Sequence, residues 1–383
     1  MKYKICFLGN GKSVFLQQFC NRFVELGWNV HLITWRNPQK KLFHKKVHIH
    51  RIFSPPHSFF LFFSFIEVAF HLWRINADLI HAHYVNTFGI IAGCIRHISS
   101  TPVIVSAWGP DSIKNSRGFR RQLISMTFKK VDKIFTTSDY LRVTIINEYD
   151  IPGIKVHAIP WGIDLDIVSQ KCEEEQKRIR RKLRIGSSDF VVISPRNLEP
   201  FYCIENAIHA FYLVKEECSN VKLILLKGFG RKKQYEKSLL KLIKQYSLDY
   251  DVVYIPHLLS RIELSQLYSI SDVLISVPID DQFSACVQEG IACGVIPVVR
   301  NLGVYKQYLQ DGKNAFFVSG DDPPEIARKI IYCIKHPEIK KRFYKVNRSI
   351  IEESENWKEN SRRMESIYMK LIETNKMEHI KGA

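Results

Sequence analysis

The largest concentration of side chains suited to chemistry lies in residues 280–299. Asp281 stands just before a predicted helix that begins near Phe283 or Ser284, and Glu289 follows about two turns into that helix. Backbone amides at the start of a helix can bind a diphosphate, and neighbouring carboxylates can accept hydrogen bonds from sugar and ribose hydroxyls. For an isolated pair of acids, an N-terminal cap at Asp281 and a solvated Glu289 would be the simpler interpretation.

Basic groups at the ends of two predicted strands offer a second kind of chemistry. Arg196 follows the strand Val191–Ser194, where its planar guanidinium suits a diphosphate; the alternative is a surface arginine. The turn Lys227–Arg231 joins a strand to a helix and places two glycines between positive charges. The same reasoning applies to this turn with less specificity.

The segment Gly9–Ser13 also joins a strand to a helix, and it resembles the end of a P-loop. A P-loop needs a glycine at the position occupied here by Cys6, so an ATPase of that class is rejected. Gly9, Asn10 and Gly11 can still let a phosphate or a sugar approach the backbone, with amides of the helix start facing it. The alternative is that these glycines only form the turn.

Two further strand ends carry aromatic and imidazole rings. His81 and His83 share one face of a predicted strand, but no third ligand completes a metal site. They either bind a ligand in a cleft or form one core and one surface histidine. Trp108 and Asp111 follow the next strand, where a ring can pack on a sugar and a carboxylate can accept hydroxyl hydrogen bonds. A purely structural tryptophan is the alternative.

Composition sets the broad class of protein. The chain has 383 residues, 46% of them hydrophobic. A chain of this length is longer than one hydrophobic core usually serves, so two domains are predicted. Lys and Arg number 56 against 38 Asp and Glu, so the net charge is +18 and an anionic partner is expected. Nine cysteines without a CxxC pair are typical of reduced thiols in a cytosolic protein. The first apolar run ends at Gly9, too soon for a signal peptide.

The longest apolar stretch, Phe59–Trp73, is shorter than the roughly 20 residues that span a bilayer, and it contains Glu67 and His71. The basic residues that flank it are Lys40, Lys41, Lys45, Lys46, Arg51 and Arg74. An aromatic helix beside basic residues can lie in the headgroup region of an anionic membrane. A core helix beside a solvated basic loop is the alternative.

Short apolar runs alternate with helix-length segments along most of the chain. The predicted strands are Ile5–Leu8, Val30–Thr34, Leu79–Ala82, Val103–Ser106, Ile134–Thr136, Phe190–Ser194, Lys222–Leu226, Val252–Ile255, Val273–Val277 and Ile296–Val299. This alternation predicts an α/β protein with two Rossmann-like parallel-sheet domains facing across a cleft, where the ligand site is expected.

A highly charged segment near Lys171 suggests where the domains divide. We place the first domain at 1–170, a linker helix at 171–188 and the second domain at 189–356. The last helix, about 357–383, is expected to pack back on the first domain.

These motifs together resemble a known signature. The matched positions are Asp281, Phe283, Ser284, Glu289, Ala292, Gly294 and Pro297. They resemble the E-x7-E segment of family 4 glycosyltransferases, which are retaining enzymes of the GT-B fold. The likeness covers most of the chain and extends to Ser271–Val273, Gly303, Arg196, Gly228–Arg231, Asp78–His83 and Pro160–Asp164.

The resemblance implies a role for each matched residue. Asp281 would contact donor-sugar hydroxyls, Glu289 would bind the ribose, and Arg196 would offset the charge of the leaving diphosphate. The donor-binding residues would be Phe283, Ser284, Ala285, Lys227, Gly228, Gly230 and Arg231. In the first, acceptor-binding domain, the residues expected to line the cleft are Gly9, Asn10, Gly11, His83, Trp108 and Asp111.

Three positions depart from the family pattern. The first acid is Asp281 instead of Glu, Tyr202 stands where the family has a lysine, and Trp108 stands where a histidine is frequent. Lys227 or Arg231 could supply the missing cation.

The expected activity is transfer of a sugar, with retention, from a UDP- or GDP-linked donor to a lipid-linked or glycan acceptor in surface polysaccharide or lipopolysaccharide synthesis. The nucleotide sugar is a substrate, and neither a cofactor nor a metal is expected. The protein is expected in the cytoplasm, peripheral on the inner face of an anionic membrane. One alternative is a sugar-nucleotide epimerase of the same architecture, which needs no acceptor. The other is a basic nucleic-acid-binding protein, for which no basic stripe with interleaved stacking aromatics is present.

Overall fold

The computed structural model describes residues 3–35, 37–38, 40–56, 60–109, 116–228 and 232–381. The chain forms two compact units, Met1–Pro160 with Glu359–Ala383, and Trp161–Lys358. Each unit contains its own parallel sheet. The predicted fold class, two parallel-sheet α/β domains, is confirmed.

The described residues of the first unit form a seven-stranded sheet with the order β3-β2-β1-β4-β5-β6-β7. Its strands are Lys4–Leu8 (β1), Asn29–Thr34 (β2), His48–Arg51 (β3), Leu79–His83 (β4), Val103–Ala107 (β5), Lys133–Thr136 (β6) and Val156–Ala158 (β7). The central strands β1, β4 and β5 are almost completely buried and mostly apolar, as expected for parallel strands covered on both faces.

The helices of the first unit are Val14–Glu25 (α1), Leu61–Ile75 (α2), Ile90–Ile98 (α3), Gly118–Lys130 (α4) and Asp139–Tyr149 (α5). Helix α1 begins after Ser13, whose hydroxyl accepts the N–H of Leu16. A π-helical turn, Val85–Gly89, connects β4 to α3. These connections follow the carboxyl ends of β1, β4 and β5. Because the strands are parallel, the connections lie at the same edge of the sheet.

The second unit has a six-stranded parallel sheet, of order β10-β9-β8-β11-β12-β13, within its described residues. Its strands are Phe190–Ser194 (β8), Val221–Leu226 (β9), Val252–Ile255 (β10), Val273–Ser276 (β11), Ile296–Arg300 (β12) and Phe316–Val318 (β13). Its helices are Glu173–Lys182 (α6), Ile204–Glu217 (α7), Lys233–Gln245 (α8), Arg261–Ile270 (α9), Ala285–Ala292 (α10), Pro323–Lys335 (α11) and Glu338–Ser354 (α12).

The first unit ends earlier than predicted, at Pro160 and not at residue 170. The segment that follows packs with the second unit because Ile163 N donates to Glu355 O (2.7 Å) and Trp357 N donates to Ile163 O (3.1 Å). This backbone pairing holds the segment after Pro160 in the second unit. The local sequence does not reveal the pairing, because the two segments are far apart along the chain.

The predicted linker helix, 171–188, is also part of the second unit. Helix α6 packs on α9, and Gln266 Nε2 donates to Glu175 Oε1 at 3.0 Å. Arg180 adds a hydrogen bond to the carbonyl of Ile270 (3.1 Å). The charged sequence is therefore the exposed side of a packed helix.

The final helix, Trp357–Lys381 (α13), carries residues of the first unit's core. The Tyr368 ring stacks on Phe23 and Phe135, and its hydroxyl lies 2.6 Å from His81 Nδ1. Tyr368 is fully buried. The last helix thus packs against the first sheet.

Candidate functional site

The amino terminus of α10 is the centre of the predicted donor site. Ser284 is its N-cap, but the Ser284 hydroxyl accepts a hydrogen bond from Arg196 Nη2 (2.8 Å) instead of capping the helix. Within the described residues, no acceptor is seen for the backbone N–H groups of Phe283, Ser284 and Ala285. These N–H groups can therefore bind an anion at the positive end of the helix.

Arg196 is held by side chains from several elements of the second unit. Its Nε donates to the Ser276 hydroxyl (2.7 Å), and its Nη2 pairs with the Asp281 carboxylate. Tyr305 lies against both charges: its hydroxyl accepts from Arg196 (3.2 Å) and donates to Asp281 (2.6 Å). The structure thus brings together Arg196 and Asp281, which are 85 residues apart in sequence.

Burial determines the protonation states in this cluster. Arg196 is 6% exposed. Its burial, the largest single effect, opposes the positive charge, but Asp281 together with Cys286, Tyr305 and Tyr202 outweighs it, so the pKa of the guanidinium is well above its ordinary value. Tyr305 is fully buried, and desolvation together with Asp281 raises the pKa of its hydroxyl well above the usual range. The cluster is thus a charged pair bridged by a neutral phenol.

The second predicted acid, Glu289, is neither solvated nor isolated. It is 5% exposed and accepts hydrogen bonds from Arg261 Nε (3.3 Å) and Nη2 (3.2 Å). Arg261 is the first residue of α9, and that helix start is fixed by a capping box between Ser260 and Glu263. Desolvation raises the pKa of the Glu289 carboxyl, although Arg261 acts in the opposite direction.

Tyr202 occupies the position where the family has a lysine, and it meets Arg196 directly. The guanidinium carbon lies 5.1 Å from the centre of the Tyr202 ring, a cation–π contact. Lys227, one candidate substitute, forms an ion pair with Glu236 at 2.9 Å, and Glu236 also accepts from Tyr254 (2.6 Å). If Lys227 contacts a phosphate of the donor, it does so while paired with Glu236.

The glycine turn after β9 is only partly described. Gly228 has a φ of +56°, and a Cβ there would lie 2.0 Å from Asn197 Oδ1, so only glycine fits. Gly230 and Arg231 lie outside the described residues. Their predicted donor contacts stay predictions.

In the first unit, the predicted glycine turn lies close to β4. Gly11 N donates to the Thr34 hydroxyl (2.9 Å), and Asn10 Oδ1 accepts from the backbone of Lys12 (3.2 Å). A Cβ on Gly9 would lie 3.5 Å from the Cβ of His83. The structure therefore places Gly9 and His83 side by side at the end of the sheet.

His83 is completely buried and in contact with Trp108, their ring centres being 5.1 Å apart. Neither nitrogen of His83 has a hydrogen-bond partner in the described part of the chain. Desolvation lowers the pKa of His83 to about 3, so its ring is neutral. Trp108 is 8% exposed and also packs on Tyr84 (4.3 Å), so its ring is a wall of this cluster and not an open stacking surface. Asp111 lies outside the described residues.

His81 belongs to the core. Its Nδ1 lies 2.6 Å from the Tyr368 hydroxyl, and its Nε2 lies 2.7 Å from the Ser106 hydroxyl. The alternative of one core and one surface histidine is wrong, because His81 and His83 are both buried. Among the described residues, no group of three or more His, Cys, Asp or Glu side chains is arranged to hold a metal ion.

Sequence reasoning missed four residues of these clusters. Tyr305 and Ser276 reach Arg196 only through the fold, and no local motif marks them. Arg261 follows Ser260, the start of a capping box that predicts a helix, but the sequence does not indicate that its side chain reaches Glu289. Tyr84 has a signal only in the backbone: its φ of 69° is strained for a tyrosine, and such strain often lies at functional sites.

Two glycosyltransferase families match most of the chain. The family described as glycosyl transferase 4-like matches residues 4–138, and the family described as glycosyl transferases group 1 matches residues 175–363. The N-acetyl-alpha-D-glucosaminyl L-malate synthase of Bacillus anthracis is 21% identical over 341 residues, which are 86% of each chain.

Solved structures share the fold. A glycosyltransferase from Rickettsia africae superimposes with a TM-score of 0.83 at 15% identity, over 97% of this chain and 99% of that one. Anabaena HepE in complex with UDP-glucose superimposes with a TM-score of 0.80 at 16% identity, over 96% of this chain and 100% of that one. With both halves matched by glycosyltransferase families, the chain belongs to the family 4, group 1 glycosyltransferases of the GT-B fold.

Proposed function

We propose that this glycosyltransferase uses a nucleoside diphosphate sugar, UDP- or GDP-linked, as its donor. The observation that carries the proposal is the buried Arg196–Asp281–Tyr305 cluster beside the uncapped start of α10. A diphosphate needs cationic and N–H donors together, and both kinds are present there. The complex of Anabaena HepE with UDP-glucose supports the same class of donor.

In the proposed reaction, the anomeric carbon loses its bond to the diphosphate and gains a bond to the acceptor oxygen, with retention. The electron pair of the broken bond stays on the diphosphate, and the acceptor hydroxyl passes its proton to the departing diphosphate. Arg196 and the N–H groups of α10 offset the charge that develops on the diphosphate. Asp281 accepts hydroxyl hydrogen bonds from the sugar, and Glu289 accepts those of the ribose.

Thermal unfolding tests the donor class. With UDP, GDP and their sugars at about 100-fold over the dissociation constant, one nucleotide family should raise the melting temperature by about 5 °C or more, because it binds only the folded protein. The stabilisation should disappear in Glu289→Ala, whereas Glu352→Ala, at an exposed site on α12, should retain it. No shift with any nucleotide would refute the proposed donor.

We propose that the acceptor is a lipid-linked or glycan hydroxyl, bound by the first unit in surface polysaccharide or lipopolysaccharide synthesis. The buried cluster of Gly9, His83, Tyr84 and Trp108 supports this assignment, because it places a neutral imidazole and a strained backbone at the carboxyl edge of the first sheet. With a radiolabelled donor, we expect the labelled sugar to be transferred to an isolated lipid-linked glycan fraction and not to water. Formation of a new nucleotide sugar without acceptor would favour the epimerase.

The proposed membrane surface is the outer side of α2. Its exposed apolar residues are Phe62, Phe63, Ile66, Phe70 and Trp73, of which Trp73 is 77% exposed. None of the described helices is both long and apolar enough to cross a membrane. A helix with such a face can lie in the plane of the interface. On the inner side of α2, Val68 and Leu72 are buried and belong to the core.

Cations in the same unit support an anionic surface. Lys40, Lys41, Lys45, Lys46, Arg51 and Arg74 are all exposed. Each can contribute about 1 kcal/mol near an anionic membrane, and salt weakens that contribution. The aromatic face and these cations together fit the cytoplasmic side of an anionic bilayer, where we propose the protein acts.

Flotation with phosphatidylglycerol vesicles tests the membrane proposal. The protein should float at low salt, less at high salt, and much less as Phe62→Ser/Trp73→Ser. Phe119→Ser removes an equally exposed aromatic residue from α4 and should have no effect. Absence of flotation at low salt, or equal loss in the Phe119 variant, would contradict the proposal.

A further inference from the structure

A polar cavity lies in the first unit, at the amino-terminal edge of its sheet. It has a volume of about 440 Å³. Its lining side chains are Lys4, Asn29, His31, His48, His50, His71, Arg74 and Ile75. Lys4 begins β1, whereas the turn Gly9–Ser13 follows the other end of the same strand. The cavity is therefore separate from the cluster at the carboxyl edge.

The histidines come from three elements. His31 of β2 lies opposite His48 of β3, and their rings stack at 4.8 Å. His31 Nδ1 lies 2.9 Å from His50 Nε2, so one of these rings donates to the other. The His71 ring, from α2, lies 5.5 Å from that of His50. The four imidazoles thus form a continuous layer.

The fixed charges around this layer are positive. Lys4 donates from Nζ to the carbonyl of Ile75 (2.6 Å), which leaves two N–H bonds, and Arg74 is exposed at the rim. Two carboxylates are near. Glu67, one turn before His71, accepts the backbone N–H groups of Phe53 (2.6 Å) and Ser54 (3.0 Å).

The second carboxylate, Asp78, is bonded to the backbone N–H of Lys4 (2.8 Å) and lies 3.4 Å from Lys376 Nζ. Neither Glu67 nor Asp78 lines the cavity. The lining residues therefore present N–H donors and cations without a competing anion.

A metal ion does not explain the cluster. Within the described residues, no three His, Cys, Asp or Glu side chains converge on a common point at ligand spacing. His31 Nδ1 and His50 Nε2 are engaged with each other, and His31 Nε2 is buried. A ligand that accepts several N–H bonds fits better, because imidazole, ammonium and guanidinium groups all donate.

We propose that this cavity binds a phosphate group, either free phosphate or the phosphodiester of a lipid headgroup. His48, His50 and His71 donate N–H bonds to the phosphate oxygens, and Lys4 and Arg74 balance their charge. The position of Arg74 and His71 on α2, the helix with the exposed aromatic face, makes a headgroup sterically reasonable. This inference does not depend on the donor or on the acceptor.

Binding of the anion should be accompanied by proton uptake by the histidines. Desolvation, then the charges of His50, His48 and Lys4, lowers the pKa of His31 to about 4. Desolvation, His71, His48 and Arg74 lower that of His50. Both rings are neutral at pH 7, and a bound anion would favour their charged forms. Affinity should therefore rise as pH falls, by about tenfold per pH unit for each proton taken up.

Titration calorimetry of the full chain tests the proposal, with inorganic phosphate and glycerophosphoglycerol as probes. The diester does not titrate between pH 6 and pH 8, so its pH dependence reports the protein. Tighter binding at pH 6 is expected, with proton uptake measured in two buffers of different ionisation enthalpy. Binding of phosphate alone would identify a free-phosphate site, and binding of the diester as well would identify a headgroup site.

The variant His48→Gln/His71→Gln should lose this binding. His97→Gln, at an exposed histidine of α3, should retain it. If the double variant does not fold, Arg74→Gln at the exposed rim should weaken binding at least about tenfold. The proposal is overturned if neither probe binds at pH 6, or if the cavity variants bind like the unchanged protein.

Discussion

Arg196→Lys is expected to lower kcat for sugar transfer by a factor of about 100 to 1,000. The guanidinium fork contacts Ser276, Asp281, Ser284 and Tyr305 at once, which a lysine ammonium cannot do from one position. The loss corresponds to removal of one pre-positioned donor to a leaving group, about 3–4 kcal/mol. Turnover of a radiolabelled donor gives the measurement.

Lysine is chosen because it keeps a positive charge beside Asp281. Truncation of Arg196 to alanine would leave that carboxylate buried without a cation, which destabilises folding and confuses the readout. Arg328→Lys, at an exposed position of α11, serves as the control for the same exchange. A kcat within threefold of the unchanged enzyme would show that Arg196 only supports the fold.

Glu289→Gln is expected to weaken nucleotide binding by a factor of about 10 to 100, because hydrogen bonds to a charged acceptor contribute about 1.5–3 kcal/mol. The amide keeps the shape of the carboxylate but cannot compensate the charge of Arg261. Arg261→Ala should weaken binding in the same direction, since Arg261 orients Glu289. Calorimetric titration with the nucleotide identified by thermal unfolding measures both.

The pH dependence of nucleotide binding tests the role of Glu289. Burial raises the pKa of Glu289 above the ordinary value of 4.5, so on acidification it becomes protonated at a higher pH than an exposed carboxyl, which should weaken nucleotide binding. Glu289→Gln should remove this dependence. In the free protein the native state holds this proton more tightly than the unfolded chain, so the associated stability is lost as pH rises through the native pKa. Equal pH profiles for Glu289→Gln and the unchanged protein would contradict the assignment.

The sequence predicted the interior of both sheets and the edge strand β10, but it missed the other edges. The central strands β1, β4, β5 and β8 are apolar runs because both faces are covered, so they are visible without a structure. The strands β3, β7 and β13 were not predicted. The first of them reads His-Ile-His-Arg, which has no apolar run, because only part of an edge strand is buried.

The residues of the candidate site also fall into two groups, those that the sequence could locate and those that it could not. Asp281, Glu289 and the start of α10 could be located because they lie within one short segment that follows a strand. Tyr305 and Arg261 could not, because their contacts with Asp281 and Glu289 are set by how α9 and the turn after β12 pack around α10. Sequence spacing reports neighbours along an element, and the partners in this site come from different elements.

Tyr368 has a consequence for how the protein is made. The ring fills the core of the first unit against Phe23, Phe135 and His81, but it lies on the helix that is synthesised last. Domains that emerge first from the ribosome ordinarily fold first. Here the first 160 residues leave the ribosome without the side chain that covers His81 and Phe135, and the second unit is translated in between. The first unit therefore completes its core only when nearly the whole chain has been released.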